Sequence, residues 1–358
     1  MAVRSVEGMG KISDTDEDLR KLLETRKAEI KVIGVGGAGN NTISRMMQVG
    51  VVGAQIVAAN TDAQDLLYTD ADKKVLLGRD LTRGLGAGAD PNVGMESARE
   101  SREDIKEALK GGDMVFITCG LGGGTGTGAS PVIADIAKKM GLLTVGIVTL
   151  PFSMEGKQRM DNARKGLEEL QKTVDTLIVI PNDKLLEIVP DVSIVSAFKI
   201  CDEILVNAVK GVTELVTKPG LVNLDFADIR AVMTNGGIAM IGMGESDTEN
   251  RAVEAVEKAL NNPLLDVDID GATGALVNVS GGTDVTIKEC QEIVEAVSTK
   301  INEDAKIIWG AQISKELGDI VRALLIITGV RAPSAYSGEA FSKEKQKEIE
   351  KILGIEFI

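Results

Sequence analysis

Histidine is absent from the 358-residue chain, and cysteine is rare, with Cys119, Cys201 and Cys290 standing far apart. Without histidine, zinc sites built on imidazole and catalysis by a histidine general base are excluded. Three scattered cysteines supply neither an even disulfide framework nor closely spaced metal ligands. We therefore expect them to be small buried apolar residues in a reducing compartment.

Aromatic residues make up only 3% of the chain, so aliphatic side chains and 40 glycines must build its interior. Basic residues are also a minority, since 40 of them against 54 acidic residues give a net charge of −14. This charge opposes nonspecific binding to nucleic acids or anionic membranes. No apolar run reaches the roughly 18 residues of a membrane span, and no apolar signal segment opens the chain. We expect a cytoplasmic protein without nucleic-acid binding or direct membrane insertion.

Two glycine-rich segments each follow an apolar run typical of a strand. The first loop, residues 34–41, reads GVGGAGNN, and the second loop, residues 120–128, reads GLGGGTGTG. Glycine lets backbone N–H groups approach a ligand closely, and the N-terminus of a following helix favours negative charge. A single loop of this kind is about as often only a tight turn as it is a ligand-binding loop. Two of them on neighbouring strands predict a polyphosphate held from both sides.

The first loop alone also fits a different kind of site. Gly34, Gly36 and Gly39 match the dinucleotide pattern G-x-G-x-x-G, and Asp62 follows about twenty residues later. That pattern by itself would predict a nicotinamide or flavin enzyme. The second loop argues against it, because a dinucleotide fold needs only one such turn. The P-loop pattern G-x-x-x-x-G-K-[ST] does not occur.

Apolar and amphipathic stretches alternate through the first half of the chain. We expect strands at residues 30–35, 55–59, 114–119, 144–150 and 176–180, and helices at 97–109 and 131–140. This alternation predicts an α/β fold with a doubly wound parallel sheet that binds ligands at the carboxyl ends of its strands. Residues 193–217 predict one long helix, apolar around most of its circumference and therefore buried between two bodies.

The chain divides into five predicted parts. Residues 1–29 form an N-terminal helical extension, 30–192 a nucleotide-binding domain, 193–220 a central connecting helix, 221–333 a second, smaller α/β domain, and 334–358 a polar tail. In the smaller domain we expect strands at residues 229–234, 238–243, 275–280, 306–312 and 320–328, and helices at 251–261 and 286–302. No phosphate loop occurs there.

The segment GGGTGTG at residues 122–128 resembles the signature loop of the tubulin/FtsZ superfamily. Other segments resemble its FtsZ branch, the prokaryotic cell-division GTPases: GVGGAGNN, NTDAQ at 60–64, GLGAGADP at 84–91, PFSMEGKQRMDNA at 151–163, IPNDKLL at 180–186 and NLDFADIR at 223–230. The likeness runs in order from about residue 30 to 331. It implies a tubulin-like fold, a GTP-binding domain followed by a GTPase-activating assembly domain, and filaments that form the division ring at mid-cell.

The phosphates of GTP are assigned to the two loops. The binding residues are Gly37, Ala38, Gly39, Asn40 and Asn41 in the first loop and Gly124, Thr125, Gly126 and Thr127 in the second. Amides are the expected donors, and the two threonine hydroxyls can reach phosphate or a magnesium shell. Magnesium is expected with a triphosphate and is held mainly by phosphate and water, without a dedicated protein ligand. Asp62 either contacts that shell or caps a turn.

The base and ribose require other side chains. Phe198 and Asp202 stand four apart on the long helix, so one could stack on guanine while the other accepts its N1–H and N2–H₂ groups. The alternative without a ligand is that Phe198 is an aromatic residue of the core and Asp202 lies beside it at the boundary of the helix's buried face. Glu155 and Arg159 are also four apart, which predicts at least a surface ion pair. The resemblance implies that Glu155 holds the ribose, Arg159 contacts the nucleotide and Asn182 lies near the base.

Asn223, Asp225 and Asp228 form an acidic loop, residues 223–228, just beyond the long helix. Two carboxylates at a helix N-terminus commonly only cap it. The helix would extend roughly 37 Å, which keeps them from the nucleotide bound at its other end. The resemblance implies that subunits stack head to tail and that these three residues complete the catalytic site of the next subunit. A head-to-tail contact that does not close extends as a filament.

Three hypotheses follow from the sequence. The first is an assembling GTPase whose partners are further copies of itself together with membrane-anchoring and division proteins of unknown identity. The second is a dinucleotide-dependent oxidoreductase, and the third is a nucleotide-regulated scaffold that does not hydrolyse its ligand. The tail shows no clear equivalent of an anchor-binding peptide, so the membrane anchor is not assigned.

Overall fold

The computed structural model describes residues 28–184, 194–217, 222, 225–261 and 269–331. Most of the N-terminal extension and the polar tail lie outside these residues, as does Asn223 of the acidic loop. Residues 28 and 29 are not helical, so the helix predicted for the extension cannot reach Glu29.

Strands and helices alternate through the first half in the predicted order. The strands are β1 (Ile30–Val35), β2 (Ala54–Asn60), β3 (Lys73–Leu76), β4 (Met114–Gly120), β5 (Leu143–Leu150) and β6 (Thr176–Pro181). The helices are α1 (Gly36–Val49), α2 (Ala63–Tyr68), α3 (Arg79–Thr82), α4 (Pro91–Glu100), α5 (Arg102–Leu109), α6 (Thr125–Lys139) and α7 (Lys157–Thr173). Apart from the edge strand β3, the strands are nearly continuous apolar runs because helices cover both faces of the sheet.

The second half begins with the long helix. The helices are α8 (Ile194–Thr217), α9 (Phe226–Met233), α10 (Arg251–Leu260) and α11 (Ile287–Ser298). The strands are β7 (Gly237–Ser246), β8 (Gly274–Gly281), β9 (Lys306–Ile313) and β10 (Val321–Thr328).

All ten strands belong to one sheet in the order β3-β2-β1-β4-β5-β6-β7-β10-β8-β9. Strands β1 to β6 are parallel, and β7 continues the parallel pairing by placing Gly237 opposite Thr176. Strand β10 runs antiparallel to both β7 and β8. Because β1 and β4 are neighbours, the order of the strands reverses between them. Such a switch point opens a crevice at the carboxyl ends of the strands, where the two glycine loops lie.

Helix α8 packs against both halves of the sheet. Leu205, Val209 and Val212 are buried in one cluster with Phe116 of β4 and Leu324 of β10. Gly211 of α8 lies against Leu324 of β10, where an added Cβ would be 2.6 Å from Leu324 Cδ2. Helix α8 has packing neighbours on several sides, and this explains why its apolar residues are not confined to one face.

Three predicted elements differ from the observed ones. The strand predicted at residues 229–234 is instead the end of α9 with its C-cap Thr234, because Asp225 caps a helix whose Ile229, Val232 and Met233 share a buried face. The helix predicted at 97–109 breaks at Ser101, whose hydroxyl accepts a hydrogen bond from Gly78 N–H. Helix α6 starts at Thr125 rather than at 131, since a proline is tolerated inside its N-terminal half.

Two of the cysteines have the predicted environment. Cys119 and Cys290 are free and buried. Burial raises the pKa of the Cys119 thiol to about 12, so it stays protonated and unreactive at neutral pH. Across the part of the chain that the structure describes, no helix has both the length and the apolar character needed to cross a membrane.

Replacing Leu215 tests the role of α8 in the core. Leu215 is 3% exposed, so Leu215→Ala should lower the free energy of unfolding by about 2–5 kcal/mol through lost burial and a residual cavity. The measurement is denaturant unfolding at a fixed nucleotide concentration. Leu67→Ala is the matched control, since Leu67 is 69% exposed and its loss should change little. Equal stability of the two variants would contradict this packing.

Candidate functional site

A cavity of about 440 Å³ lies at the carboxyl ends of β1, β4, β5 and β6. Both glycine loops and the first turns of α8 contribute to its wall. Of the predicted binding residues, those that line it are Gly37, Ala38, Asn41, Gly124, Thr125, Gly126, Glu155, Arg159, Asn182, Phe198 and Asp202. Side chains and amides more than 160 residues apart in the sequence thus meet at one site.

The first loop turns directly from β1 into α1. Gly36 begins the helix with a φ of +72°, a conformation that favours glycine. A Cβ there would lie 2.9 Å from Gly126 N, so the two loops touch through their backbones. The free amides of the first helical turn face the cavity together with the positive end of the helix dipole.

The second loop leads from β4 into α6. Gly122 has a φ of +107°, and its N–H donates to the Thr127 hydroxyl over 2.9 Å. Thr125 Oγ1 lies 2.6 Å from Thr61 Oγ1 at the edge of the cavity. The loop is therefore held in shape from inside by one threonine, while the other faces the ligand site.

Three predicted phosphate ligands do not line the cavity. Thr127 is buried and uses its hydroxyl within the loop. Gly39 packs on β4, where a Cβ would lie 2.6 Å from Thr118 O. The buried Asn40 points its amide away and donates from Nδ2 to Asp65 Oδ2. These residues shape the first and second loops, a role that residue type and spacing do not distinguish from direct contact.

Asp62 has the capping role that the sequence left open. Its Oδ1 accepts from Gln64 N–H at 2.9 Å and Asp65 N–H at 3.1 Å, which caps α2. Asp62 does not line the cavity.

At the opposite wall, α8 contributes a carboxylate and an aromatic ring. Burial raises the pKa of Asp202, while the hydrogen bond from Thr42 and the charge of Arg45 act in the opposite direction. Thr42 Oγ1 donates to Asp202 Oδ1 over 2.7 Å, leaving the second carboxylate oxygen for a ligand. Phe198 is 45% exposed and meets the Phe152 ring edge-on at 5.4 Å. An exposed ring beside a partly buried carboxylate can stack on a base and read its edge.

The segment after β5 supplies the third wall. Glu155 pairs with Arg159, as the spacing predicted, and Glu155 Oε1 also accepts from Phe152 N–H at 2.9 Å. Ser153 N–H donates to Asp183 Oδ1 over 2.9 Å, which ties this segment to the residues after β6. The ion pair thus lies at the cavity, with Glu155 held by the Phe152 backbone N–H and its segment anchored to Asp183.

The acidic loop is not part of this cavity. Asp225 is the N-cap of α9 and accepts from Asp228 N–H over 2.8 Å, which is the capping role considered for it. Asp225 is exposed and Asp228 half-buried. From Asp202 and Phe198 to the C-terminal end of α8 at Thr217, about 22 and 29 Å of helix separate the base-side residues from these carboxylates.

Sequence reasoning missed part of the cavity wall. The additional lining residues are Val35, Gly36, Thr42, Gly120, Leu121, Gly123, Thr149, Pro151 and Leu205. Most of them end a parallel strand or belong to a glycine loop, so the rule for strand ends could have found them. Thr42 gave no such signal, because its link to Asp202 joins residues distant in sequence.

A doubly wound sheet with two glycine loops at its switch point, closed by a long helix that carries Phe198 and Asp202, defines a tubulin-like GTPase. The model of the "Tubulin/FtsZ family, GTPase domain" matches residues 29–190, and that of the "FtsZ family, C-terminal domain" matches residues 237–331. The chain belongs to the FtsZ family, as the sequence motifs predicted.

Individual relatives agree with this assignment. Cell division protein FtsZ 1 of Thermococcus kodakarensis is 62% identical over 341 residues, covering 94% of this chain and 91% of that protein. The solved empty FtsZ dimer of M. jannaschii superposes with a TM-score of 0.83 at 61% identity, covering 88% of this chain and 92% of that one. The solved GDP-bound monomer of CetZ1 from Haloferax volcanii superposes with a TM-score of 0.75 at 25% identity. The match covers 91% of this chain and 99% of that one.

Family membership decides among the three hypotheses. The chain is a GTP-binding cell-division GTPase with a tubulin-like α/β fold, so the predicted fold class and enzyme class are confirmed. The dinucleotide pattern of the first loop reflects the same β1–α1 turn in a different nucleotide-binding fold.

Gly123→Val should separate binding from folding. Gly123 lines the cavity, and a Cβ there meets no atom within 4 Å, so the side chain would fill ligand space without disturbing the protein. We expect at least a tenfold loss of GTP affinity, equivalent to about 1.4 kcal/mol, with unchanged thermal unfolding of the empty protein. Gly124→Val is less informative, because its Cβ would lie 2.9 Å from Asp90 N. Normal GTP affinity in folded Gly123→Val would contradict the assigned cradle.

The raised pKa of Asp202 predicts a pH dependence. Guanine donates from N1–H and N2–H₂, and an ionised carboxylate is a stronger acceptor for both groups than a protonated one. Burial raises the pKa of Asp202, so lowering the pH through that pKa protonates the carboxylate. The GTP affinity of the wild type should then fall. Asp202→Asn has no titrating group at this position, so its affinity should fall less. Removing the acceptor in Asp202→Ala should cost about 1.5–3 kcal/mol of binding. Titrations at several pH values measure both effects, and parallel pH profiles for wild type and Asp202→Asn would refute the assignment.

Proposed function

We propose that GTP binds in this cavity with its phosphates between the two loops. The first turns of α1 and α6 supply amides there, and their dipoles favour the phosphate charge. Thr125 adds its hydroxyl from the second loop. Two N-termini converging on one point are the observation that supports this orientation of the nucleotide.

The guanine base is assigned to the α8 wall. Phe198 stacks on it, and the free oxygen of Asp202 accepts from its edge, with Asn182 beside it. Glu155 holds the ribose, and Arg159 contacts the nucleotide from the same segment. Because Thr42 already donates to one oxygen of Asp202, the carboxylate is oriented before the nucleotide arrives.

Magnesium fits this site as an ion held mainly by the phosphates of the bound nucleotide. The residues that the structure describes contain no cluster of three or more acidic or cysteine side chains suited to a metal. Thr125 lines the cavity at the phosphate end, and its hydroxyl pairs with that of the buried Thr61 behind it. Magnesium retains several waters and phosphate oxygens as ligands, so hydroxyl neighbours are enough for an ion that arrives with the triphosphate. It would neutralise phosphate charge there.

Hydrolysis is completed by a second subunit. Asp225 and Asp228 lie beyond the far end of α8 from the base pocket, so they are too distant to act on their own nucleotide. We assign them, together with Asn223, to the attacking water of the neighbouring subunit. The M. jannaschii relative named above has been solved as a dimer, which supports contact between copies. Repeated head-to-tail contacts would give filaments, which we place in the division ring at mid-cell with division proteins as further partners.

Asp225→Asn isolates the catalytic role from the capping role. Asparagine caps helices as well as aspartate, so α9 should keep its N-terminus while the carboxylate is lost. We expect GTP binding to be retained and turnover to fall about a hundredfold or more, as for loss of a general base. Asp228→Asn should behave alike. Asp247→Asn is the control, since Asp247 is exposed at the far end of β7.

Turnover is measured across a range of protein concentrations. Wild-type activity per subunit should rise steeply through a critical concentration, because the site is complete only in the assembly. Constant activity per subunit on dilution, or full activity in either aspartate variant, would refute catalysis between subunits.

A further inference from the structure

Asp65 lies beside the phosphate loops without lining the cavity. It belongs to α2, and its backbone N–H donates to Oδ1 of Asp62, the N-cap of that helix. Its Oδ2 is the nearest side-chain atom to a Cβ built on Gly37, at 3.9 Å, which places the carboxylate against the first turn of α1.

One oxygen of Asp65 accepts two amide groups. Asn40 Nδ2 donates to Oδ2 over 3.0 Å, and Asn60 Nδ2 donates to the same atom over 2.6 Å. Asn40 is 1% exposed and Asn60 is 3% exposed. Water therefore cannot reach either side-chain amide to replace Asp65 as its hydrogen-bond acceptor. Asn40 Oδ1 has no partner within the described residues, which leaves Asp65 as the group that fixes this side chain.

The contacts continue from Asp65 to the second loop. Asn60 Oδ1 accepts from Thr61 N–H at 2.8 Å, and Thr61 Oγ1 pairs with Thr125 Oγ1 at 2.6 Å. A chain of hydrogen bonds therefore runs from Asn40 in the first loop, through Asp65, to Thr125 in the second. Buried polar chains of this kind fix geometry because each unpaired member would carry a desolvation penalty.

We propose that Asp65 is a positioning residue that sets the spacing of the two phosphate loops. It acts through Asn40 and Asn60 and does not touch the nucleotide. The inference rests on the proposed GTP site. Loops held at the correct separation direct their amides at the same phosphates, and a small displacement of either loop weakens both sets of contacts.

Two substitutions separate geometry from charge. In Asp65→Asn, the amide oxygen can occupy the position of Oδ2 and accept both bonds, while the charge is lost. Asp65→Ala removes both bonds. We expect Asp65→Ala to raise the Kd for GTP and GDP about tenfold or more and to raise KM more than it lowers kcat. Asp65→Asn should bind within a few-fold of wild type or more tightly, because a negative charge near the phosphates is removed.

The series includes two reference variants. Asp70→Ala, five residues along, removes an exposed carboxylate that makes no hydrogen bond or ion pair within the described residues and should leave binding unchanged. Gly123→Val tests the site itself. If Asp65→Ala cannot be purified folded, Asn40→Ala removes only the first-loop contact and carries the same expectation for Kd and KM.

The possible results are distinct. Wild-type affinity in Asp65→Ala, with binding lost in Gly123→Val, would overturn the role of Asp65 and leave the GTP site standing. Equal losses in Asp65→Asn and Asp65→Ala would show that the charge matters and would also overturn positioning. Normal binding in Gly123→Val would instead refute the proposed site. Loss in Asp65→Ala with recovery in Asp65→Asn supports the proposal.

Discussion

The close approach of two glycine loops at the sheet's switch point is the constraint on which the site depends. Gly36 and Gly126 come within contact distance because β1 and β4 are adjacent parallel strands that end at the same edge. A side chain at Gly36 would separate the loops. Since the amides of α1 and α6 point into the gap between them, the spacing of the two backbones decides whether one polyphosphate can reach both. The threonines and asparagines around the gap serve that spacing.

Helix α8 links this site to the rest of the molecule. Its first turns carry Phe198 and Asp202 at the cavity, its middle is buried against both halves of the sheet, and its end leads to the acidic loop. A helix does not shorten, so at least about 22 Å of it keeps Phe198 and Asp202 apart from the carboxylates of Asp225 and Asp228. Under the proposed mechanism, this rigidity prevents catalysis within one subunit, and head-to-tail contact would bring the two ends together.

Several residues show where sequence reasoning reached its limit. Thr125 and Thr127 stand two apart in one motif, yet Thr125 lines the cavity while the Thr127 hydroxyl oxygen accepts a hydrogen bond from Gly122 N–H within the loop. Asp62 and Asp225 both suggested functional carboxylates, and both cap helices in the structure. The strand predicted at 229–234 is mostly helical in the structure, because Asp225 caps a helix whose apolar residues lie on one buried face. In each case the outcome depends on neighbours that local spacing does not reveal.

The sequence alone determined the doubly wound architecture, the two glycine loops, the long helix and the family, because strand periodicity, glycine spacing and local motifs are properties of short segments. Tertiary structure decided which loop residues face the ligand, that one sheet runs through both halves, and that Asp65 joins two loops through Asn40 and Asn60. These features depend on packing between segments far apart in the chain, where a single buried hydrogen bond fixes the orientation of a side chain.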